Sequence, residues 1–213
     1  PFFVMERLRG RTLKEVIKQD GAMDWTRVIP ILRQLATALQ HYERDLSVVA
    51  AHAAADPDDF SLAGALAQVH NKVARVQVFL GRLDDARVHL DAEASILAEL
   101  SAREPSRVER RFQEALNPRI WALLAAASAD VASAREHARA AVALLEAIGA
   151  EGGARERRWL AYSLWLLGQT EQSADASDVA GAAWERGLEV IAPLVDDSAT
   201  LAVLDVQARL LIS

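Results

Sequence analysis

The sequence contains no cysteine, few residues that break helices and no long apolar run. The absence of cysteine from 213 residues excludes disulfides, thiolate metal sites and a cysteine nucleophile, and it fits a cytoplasmic protein. Only ten glycines and six prolines occur, while the 52% of hydrophobic residues consist largely of Ala and Leu, which favour helices. No apolar stretch approaches the ~20 residues that a membrane span needs, and a net charge of −6 argues against general nucleic-acid binding. The composition predicts a soluble, all-α protein.

Residues 1–45 differ from the rest of the chain in charge and in pattern. They carry a net charge of +2, whereas the remaining residues carry −8. An apolar, β-prone run at Phe2–Met5 precedes a short helix that Thr12 can cap, and a longer amphipathic helix follows from Asp24. This segment predicts a strand, a short helix and a long helix. Because the chain starts with Pro1 rather than Met, we expect it to be a fragment.

The segment "PFFVMERLRGRTLKEVIKQDGAMDW", with "ILRQLATALQH" shortly after it, resembles the middle of a bacterial Ser/Thr protein kinase. The resemblance covers the last strand of the N-lobe, the hinge and the first two C-lobe helices. It implies that Met5 is the gatekeeper and that Glu6 to Leu8 form the hinge, whose backbone would bind adenine. Residues 24–41 would be the helix that precedes the catalytic loop. The alternative is an unrelated β-α-α segment.

This segment contains no catalytic residue of a kinase. The phosphate-binding glycine loop, the strand lysine and the Mg²⁺-binding Asp-Phe-Gly are all missing from the chain. Glu43-Arg44-Asp45-Leu46 is similar to His-Arg-Asp-Leu, but Glu replaces His and Asp45 follows Leu39 too closely for a catalytic loop. We therefore predict no catalytic residue, no metal site and no cofactor; ATP and Mg²⁺ would belong only to a complete parent kinase.

The apolar spacing instead continues through this region as a helix. Residues 24–55 are expected to form one long helix that docks on residues 60–80, as an N-terminal cap. One face of it would carry Tyr42, Leu46 and Val49. Its earlier apolar residues also need burial, and they are Val28, Leu32, Leu35 and Leu39.

An internal repeat of about 48 residues follows. Ala86, Ala134 and Ala182 are spaced 48 residues apart, and each begins an apolar-periodic helix. Earlier helices are indicated at 60–80, 106–128 and 154–168, with a polar insert at 169–177. Because neither helix of such a pair can bury its apolar face alone, the pairs should stack.

Residues 42–90, "YERDLSVVAAHAAADPDDFSLAGALAQVHNKVARVQVFLGRLDDARVHL", resemble the long tetratricopeptide repeats found behind bacterial Ser/Thr kinase domains. The resemblance implies an all-α, tetratricopeptide-like helical-hairpin array, or α-solenoid, over 46–213, with a kinase-like β-α-α remnant at 1–45. It also implies a regulatory scaffold that binds a protein or peptide. Two alternatives remain open: a partial record of an active Ser/Thr kinase, and a helical-repeat module of another signalling regulator.

Two clusters of arginine are the candidate binding residues outside the kinase-like segment. Both begin predicted first helices, where a basic ridge could bind an acidic peptide or a phosphate. Glutamates interleave with them, so a solvated, salt-bridged face is the favoured interpretation. The tryptophans are expected in the core, and the five histidines show no metal-binding spacing. The clusters are Arg103, Arg107, Arg110 and Arg111, and Arg155, Arg157 and Arg158.

Overall fold

The computed structural model describes residues 25–104, 107–195, 201–211 and 213. Helix makes up 89% of these residues and they include no strand, which confirms the predicted all-α class. The predicted strand at Phe2–Met5 lies outside the described residues. Eight α-helices are present in the described part: α1 Trp25–Ala55, α2 Phe60–Phe79, α3 Leu83–Arg103, α4 Val108–Ala127, α5 Val131–Ile148, α6 Ala154–Gln172, α7 Ser177–Ile191 and α8 Leu201–Leu211.

The long helix α1 runs without interruption from Trp25 to Ala55, as the spacing of its apolar residues predicts. Pro30 lies within it but falls in its second turn. Leu39 is buried against Val69 and Val73 of α2, and the predicted face of Tyr42, Leu46 and Val49 packs on the same cluster. The second half of α1 therefore docks on α2 as expected.

The first half of α1 does not follow the expectation that its apolar side chains are buried. Leu32 is 44% exposed and Ile29 is 46% exposed, while Val28 and Leu35 are only partly buried. At about 1.5 Å per residue, the 31 residues of α1 extend roughly 17 Å beyond the length of the 20-residue α2. Because α2 is too short to cover both halves, α1 overhangs its partner.

Three helical hairpins follow, and the same turn closes each of them. One residue in each turn adopts a left-handed backbone, with φ of 74° at Gly81, 58° at Ala129 and 60° at Asp175. The next backbone N–H then donates to a carbonyl five residues earlier, in the Schellman arrangement that ends many helices. These bonds are Arg82 N to Gln77 O at 2.9 Å, Asp130 N to Ala125 O at 2.9 Å, and Ala176 N to Glu171 O at 3.0 Å.

The turns define the repeat more accurately than the sequence does. The first two turns are 48 residues apart, but the second and third are 46 apart. The fourth residue of each second helix is a buried alanine, and these residues are Ala86, Ala134 and Ala180. Ala182, which the sequence comparison aligned with them, is exposed. The predicted position in the third hairpin is therefore wrong by two residues.

Packing between successive helices makes the core a continuous series of clusters. Ala74 of α2, Leu90 of α3 and Ile120 of α4 are fully buried together. Phe112 of α4, Leu145 of α5 and Leu160 of α6 continue the series, followed by a cluster that joins α6, α7 and α8. The first helices of consecutive hairpins also touch, α2 with α4 and α4 with α6. These contacts place α2, α4 and α6 side by side, where they form the walls of one groove.

Candidate functional site

Several arginines of the predicted clusters form salt bridges. The Arg111 guanidinium lies 2.7 Å from Glu151, and that of Arg155 lies 2.6 Å from both Glu109 and Glu156. Glutamates that interleave with the arginines in sequence are thus their partners in space. The structure confirms the favoured interpretation for Arg111 and Arg155, whereas the guanidinium of Arg103 lies 5.0 Å from the Phe60 ring and that of Arg158 lies 5.5 Å from the Trp159 ring.

Arg110 is the exception within this face, because it is buried. Its guanidinium donates to the carbonyl of Phe60 at 2.8 Å and to Gln113 at 3.0 Å, and it pairs with Glu104 at 3.3 Å. It packs so closely against Gly64 of α2 that a Cβ at that glycine would collide with the guanidinium. Arg110 therefore holds α2 against α4 and is not free to bind a ligand.

A cavity of about 220 Å³ lies between α2, α4 and α6. Gln68, Lys72 and Arg75 line it from α2, and Trp159 lines it from α6. From α4 come Phe112, Leu116 and Arg119. We call this cavity and its walls the groove. Its lining combines aromatic and aliphatic surface with cationic groups, a combination common in sites that bind ligands.

Glu93 of α3 lies at the base of the groove and is only 2% exposed. Asn71 Nδ2 donates to both of its carboxylate oxygens at 3.0 Å, and Asn117 Nδ2 donates to Oε2 at 2.9 Å. Asn117 also donates to the carbonyl of Leu90 at 3.1 Å. Burial raises the pKa of Glu93 to about 7, although the two amides oppose that shift. This network joins α2, α3 and α4.

Arg119 is the second buried charge of the groove, and it is also 2% exposed. Its guanidinium carbon lies 4.4 Å from the centre of the Trp159 ring and 5.4 Å from that of Tyr162, both within cation–π range. Burial lowers its pKa to about 10, and the neighbouring Arg75 contributes to the lowering. Arg119 Nε has no hydrogen-bond partner. Among the described carboxylates, none is within ion-pair distance of Arg119.

The charges around the groove are unbalanced. Its lining carries four cationic residues, Lys72, Arg75, Arg119 and Arg155, but only two carboxylates, Glu93 and Glu109. Arg155 and Glu109 pair with each other at 2.6 Å. The excess is positive, although the whole chain has a net charge of −6. The groove is therefore a local cationic site on an acidic protein.

Two histidines meet outside the groove, between the helices of the first hairpin. His70 Nδ1 of α2 lies 2.9 Å from His89 Nδ1 of α3, so one nitrogen must donate and the other accept. Burial lowers the pKa of both rings, which favours the neutral pair. Within the described ranges, no three His, Asp or Glu side chains are grouped so that they could hold a metal ion.

The described part of the kinase-like segment, residues 25–45, contributes no side chain to the lining of the groove. Met5, Glu6 and Leu8 lie outside the described residues. Asp45 is exposed in the middle of α1, which continues through it as a regular helix. The described helices also include none that is apolar over a membrane-spanning length.

The sequence prediction missed Arg119 and Glu93, although a signal for each was present. Glu93 interrupts the apolar series Ala86, Leu90, Leu97 and Leu100, all of which are buried. Arg119 likewise occupies the buried face of α4, between Ala115 and Ala122. A lone charge at an apolar position of a helix indicates a buried polar site, but its partners on other helices can be identified only from the fold.

Comparisons with family models, curated proteins and solved structures found no match for this chain.

Proposed function

We propose that this chain is a protein-interaction scaffold, an α-solenoid of tetratricopeptide-like hairpins whose groove binds a peptide segment of a partner. The carrying observation is the cavity of about 220 Å³ that three successive first helices, α2, α4 and α6, share. Three hairpins closed by the same left-handed turn support the repeat interpretation. The described part of the chain offers no arrangement of nucleophile, base and metal that would favour catalysis.

The chemistry of the groove suits a peptide better than a small apolar ligand. Phe112, Leu116 and Trp159 provide surface for an apolar side chain, while Gln68 and Lys72 are exposed at the edge for contacts with a polar backbone. Aromatic anchors inside a polar rim are typical of interaction sites. A peptide would use both kinds of surface at once.

A peptide library displayed on phage, selected on the purified chain, tests this function. We expect enriched peptides to lose binding when Gln68→Trp fills the edge of the groove. The matched control is Gln40→Trp, the same change at an exposed position of α1 outside the groove. If no peptide is enriched, or if binding survives Gln68→Trp as well as Gln40→Trp, the groove is not the interaction site.

We further propose that the scaffold serves a bacterial Ser/Thr kinase as its docking or regulatory part. The resemblance of residues 1–41 to a kinase hinge and early C-lobe supports this proposal. Sequencing the gene on both sides of the segment tests it. A strand lysine and Asp-Phe-Gly in the same reading frame are expected, and their absence would favour another signalling regulator.

A further inference from the structure

We propose that the groove selects an acidic peptide, with one side-chain carboxylate of the ligand bound by Arg119 and with Lys72 and Arg75 holding neighbouring acidic groups. This inference rests on the proposed peptide-binding function and specifies the chemistry of the partner. It starts from Arg119, the cation at the base of the groove.

A buried guanidinium is stable only when hydrogen bonds or a counter-charge replace the water it has lost. Arg119 is 2% exposed and its Nε has no partner, while Trp159 and Tyr162 supply cation–π contacts and the Tyr162 hydroxyl, but no carboxylate. Because Arg119 lines the cavity, a ligand in the groove can reach it. A carboxylate there would supply both the missing acceptor and the missing counter-charge.

Glu93 does not fill this role, although it lies in the same groove. Its two carboxylate oxygens accept from Asn71 and Asn117 at 2.9–3.0 Å, and it forms no ion pair with Arg119. Its pKa of about 7 also leaves it only partly ionised at neutral pH. The positive charge at the base of the groove is thus incompletely balanced from within the chain.

Two cations of α2 at the edge of the groove, Lys72 and Arg75, also favour an acidic ligand. Lys72 is exposed and Arg75 is half-buried one turn further on, and within the described ranges no carboxylate pairs with either. Residues 72 and 75 lie on the same side of the helix because they are three apart. Together with Arg119 they present three cations to a ligand, in a chain that is acidic overall.

The apolar walls favour a peptide over a free inorganic anion. Phe112, Leu116 and Trp159 line the cavity beside the cations, and an inorganic phosphate would leave that surface uncovered. A peptide with acidic and apolar side chains in alternation would contact both. Phosphate and phosphopeptides remain alternative anions, and the test includes them.

Fluorescence anisotropy measures the preference directly. One rhodamine-labelled peptide alternates Glu with Leu (the Glu peptide). A second labelled peptide of the same length alternates Gln with Leu (the Gln peptide), so that the two differ only in charge. We expect the Glu peptide to bind at least about tenfold more tightly, and the difference to shrink as salt increases. Inorganic phosphate and a phosphoserine peptide are then offered as competitors against the Glu peptide.

Variants of the full chain locate the effect. Arg75→Gln and Lys72→Gln should each weaken the Glu peptide by roughly three- to tenfold, because each removes one charge-assisted contact. Arg119→Gln should weaken binding of the Glu peptide at least as much as either edge variant, and should leave the affinity for the Gln peptide nearly unchanged. Arg87→Gln, an exposed arginine outside the groove, should change nothing. Thermal unfolding shows whether Arg119→Gln is folded; if it is not, the two edge variants decide.

Three results would overturn the proposal. They are equal affinity for the Glu and Gln peptides, equal losses of affinity in Arg87→Gln and in the groove variants, and displacement of the bound Glu peptide by inorganic phosphate at concentrations below the Kd of the peptide. Suppose that library peptides bind and that Gln68→Trp blocks their binding, but that the enriched peptides show no preference for acidic sequences. The scaffold function then stands and only this inference fails. If no peptide of any composition binds, both fail.

Discussion

Replacing Glu93 by Gln should change how the stability of the protein depends on pH. Burial raises the pKa of Glu93 from 4.5 to about 7 in the folded chain. The folded state therefore holds a proton on this carboxyl at pH values where the unfolded state has already released it. The contribution of Glu93 to the free energy of unfolding is therefore greatest below about pH 4.5, and it falls as pH rises towards 7 and above.

The size of the effect follows from the shift. Each pKa unit corresponds to about 1.4 kcal/mol, so a rise from 4.5 to about 7 removes roughly 3 kcal/mol of stability by pH 8. Glu93 is 2% exposed, and solvent therefore screens little of this. Gln keeps the shape and an acceptor oxygen for Asn71 or Asn117 but carries no charge. Glu93→Gln should consequently be the more stable protein at pH 8, by up to about 3 kcal/mol.

Urea unfolding followed by circular dichroism, at intervals from pH 5 to pH 8, measures the difference between the two proteins. Subtracting the plot of unfolding free energy against pH for one protein from that for the other removes the contribution of all other titrating groups. The control is Glu99→Gln, an exposed glutamate of the same helix, for which the difference should stay near zero at every pH. A Glu93→Gln difference that does not grow with pH would show that Glu93 is ionised normally and would refute the argument.

Three further predictions concern the turns, the histidine pair and catalysis. Ala129→Gly should stabilise the chain by about 1 kcal/mol and Gly81→Ala should destabilise it similarly, because both residues have positive φ; urea unfolding of both variants checks this, and no gain for Ala129→Gly would contradict it. His70→Gln should weaken the loss of stability as pH falls below about 6.5, since the lowered pKa values of His70 and His89 make their protonation unfavourable in the folded chain; an unchanged slope between pH 5 and 7 would contradict this. The chain should transfer no labelled phosphate from ATP, and phosphoprotein above the level of an Asp45→Asn control would show otherwise.

The periodic spacing of apolar residues predicted the helices well, because helix formation depends mainly on local sequence. The apolar spacing from Asp24 onward indicates a continuous helix, and α1 is one. Spacing alone does not show what covers an apolar face, so the exposure of Leu32 was not predicted. That depends on the length of α2, the neighbouring helix.

The turn of the third hairpin shows where sequence comparison fails. Gly81 marks the first turn, but Ala129 and Asp175 occupy the same left-handed position without a glycine. The Ala-rich start of α7 then allows alignment on Ala182 as easily as on Ala180. Packing distinguishes the two, because Ala180 is fully buried and Ala182 is exposed.

Charged residues of the interior were the hardest to predict. The stretch 169–177 suggests a polar insert, yet α6 continues to Gln172 and Glu171 within it is fully buried. Arg135 and Arg139 of α5 lie 2.8 Å and 2.5 Å from its carboxylate. Their distance from Glu171 in sequence hides the pairing. The groove was missed for the same reason, since its cations and amides come from three different helices and its carboxylate Glu93 from a fourth.

The hydrogen bonds of Glu93 have a consequence for how the array unfolds. In a stack of repeats, stability can be written as an intrinsic term for each unit and a coupling term for each junction, as in a one-dimensional Ising chain. Asn71 and Glu93 belong to the first hairpin, whereas Asn117 belongs to the second, so this network contributes to a junction. The salt bridges of Glu171 do the same between the second and third hairpins. Strong coupling at both junctions makes the cooperative unit larger than a single hairpin.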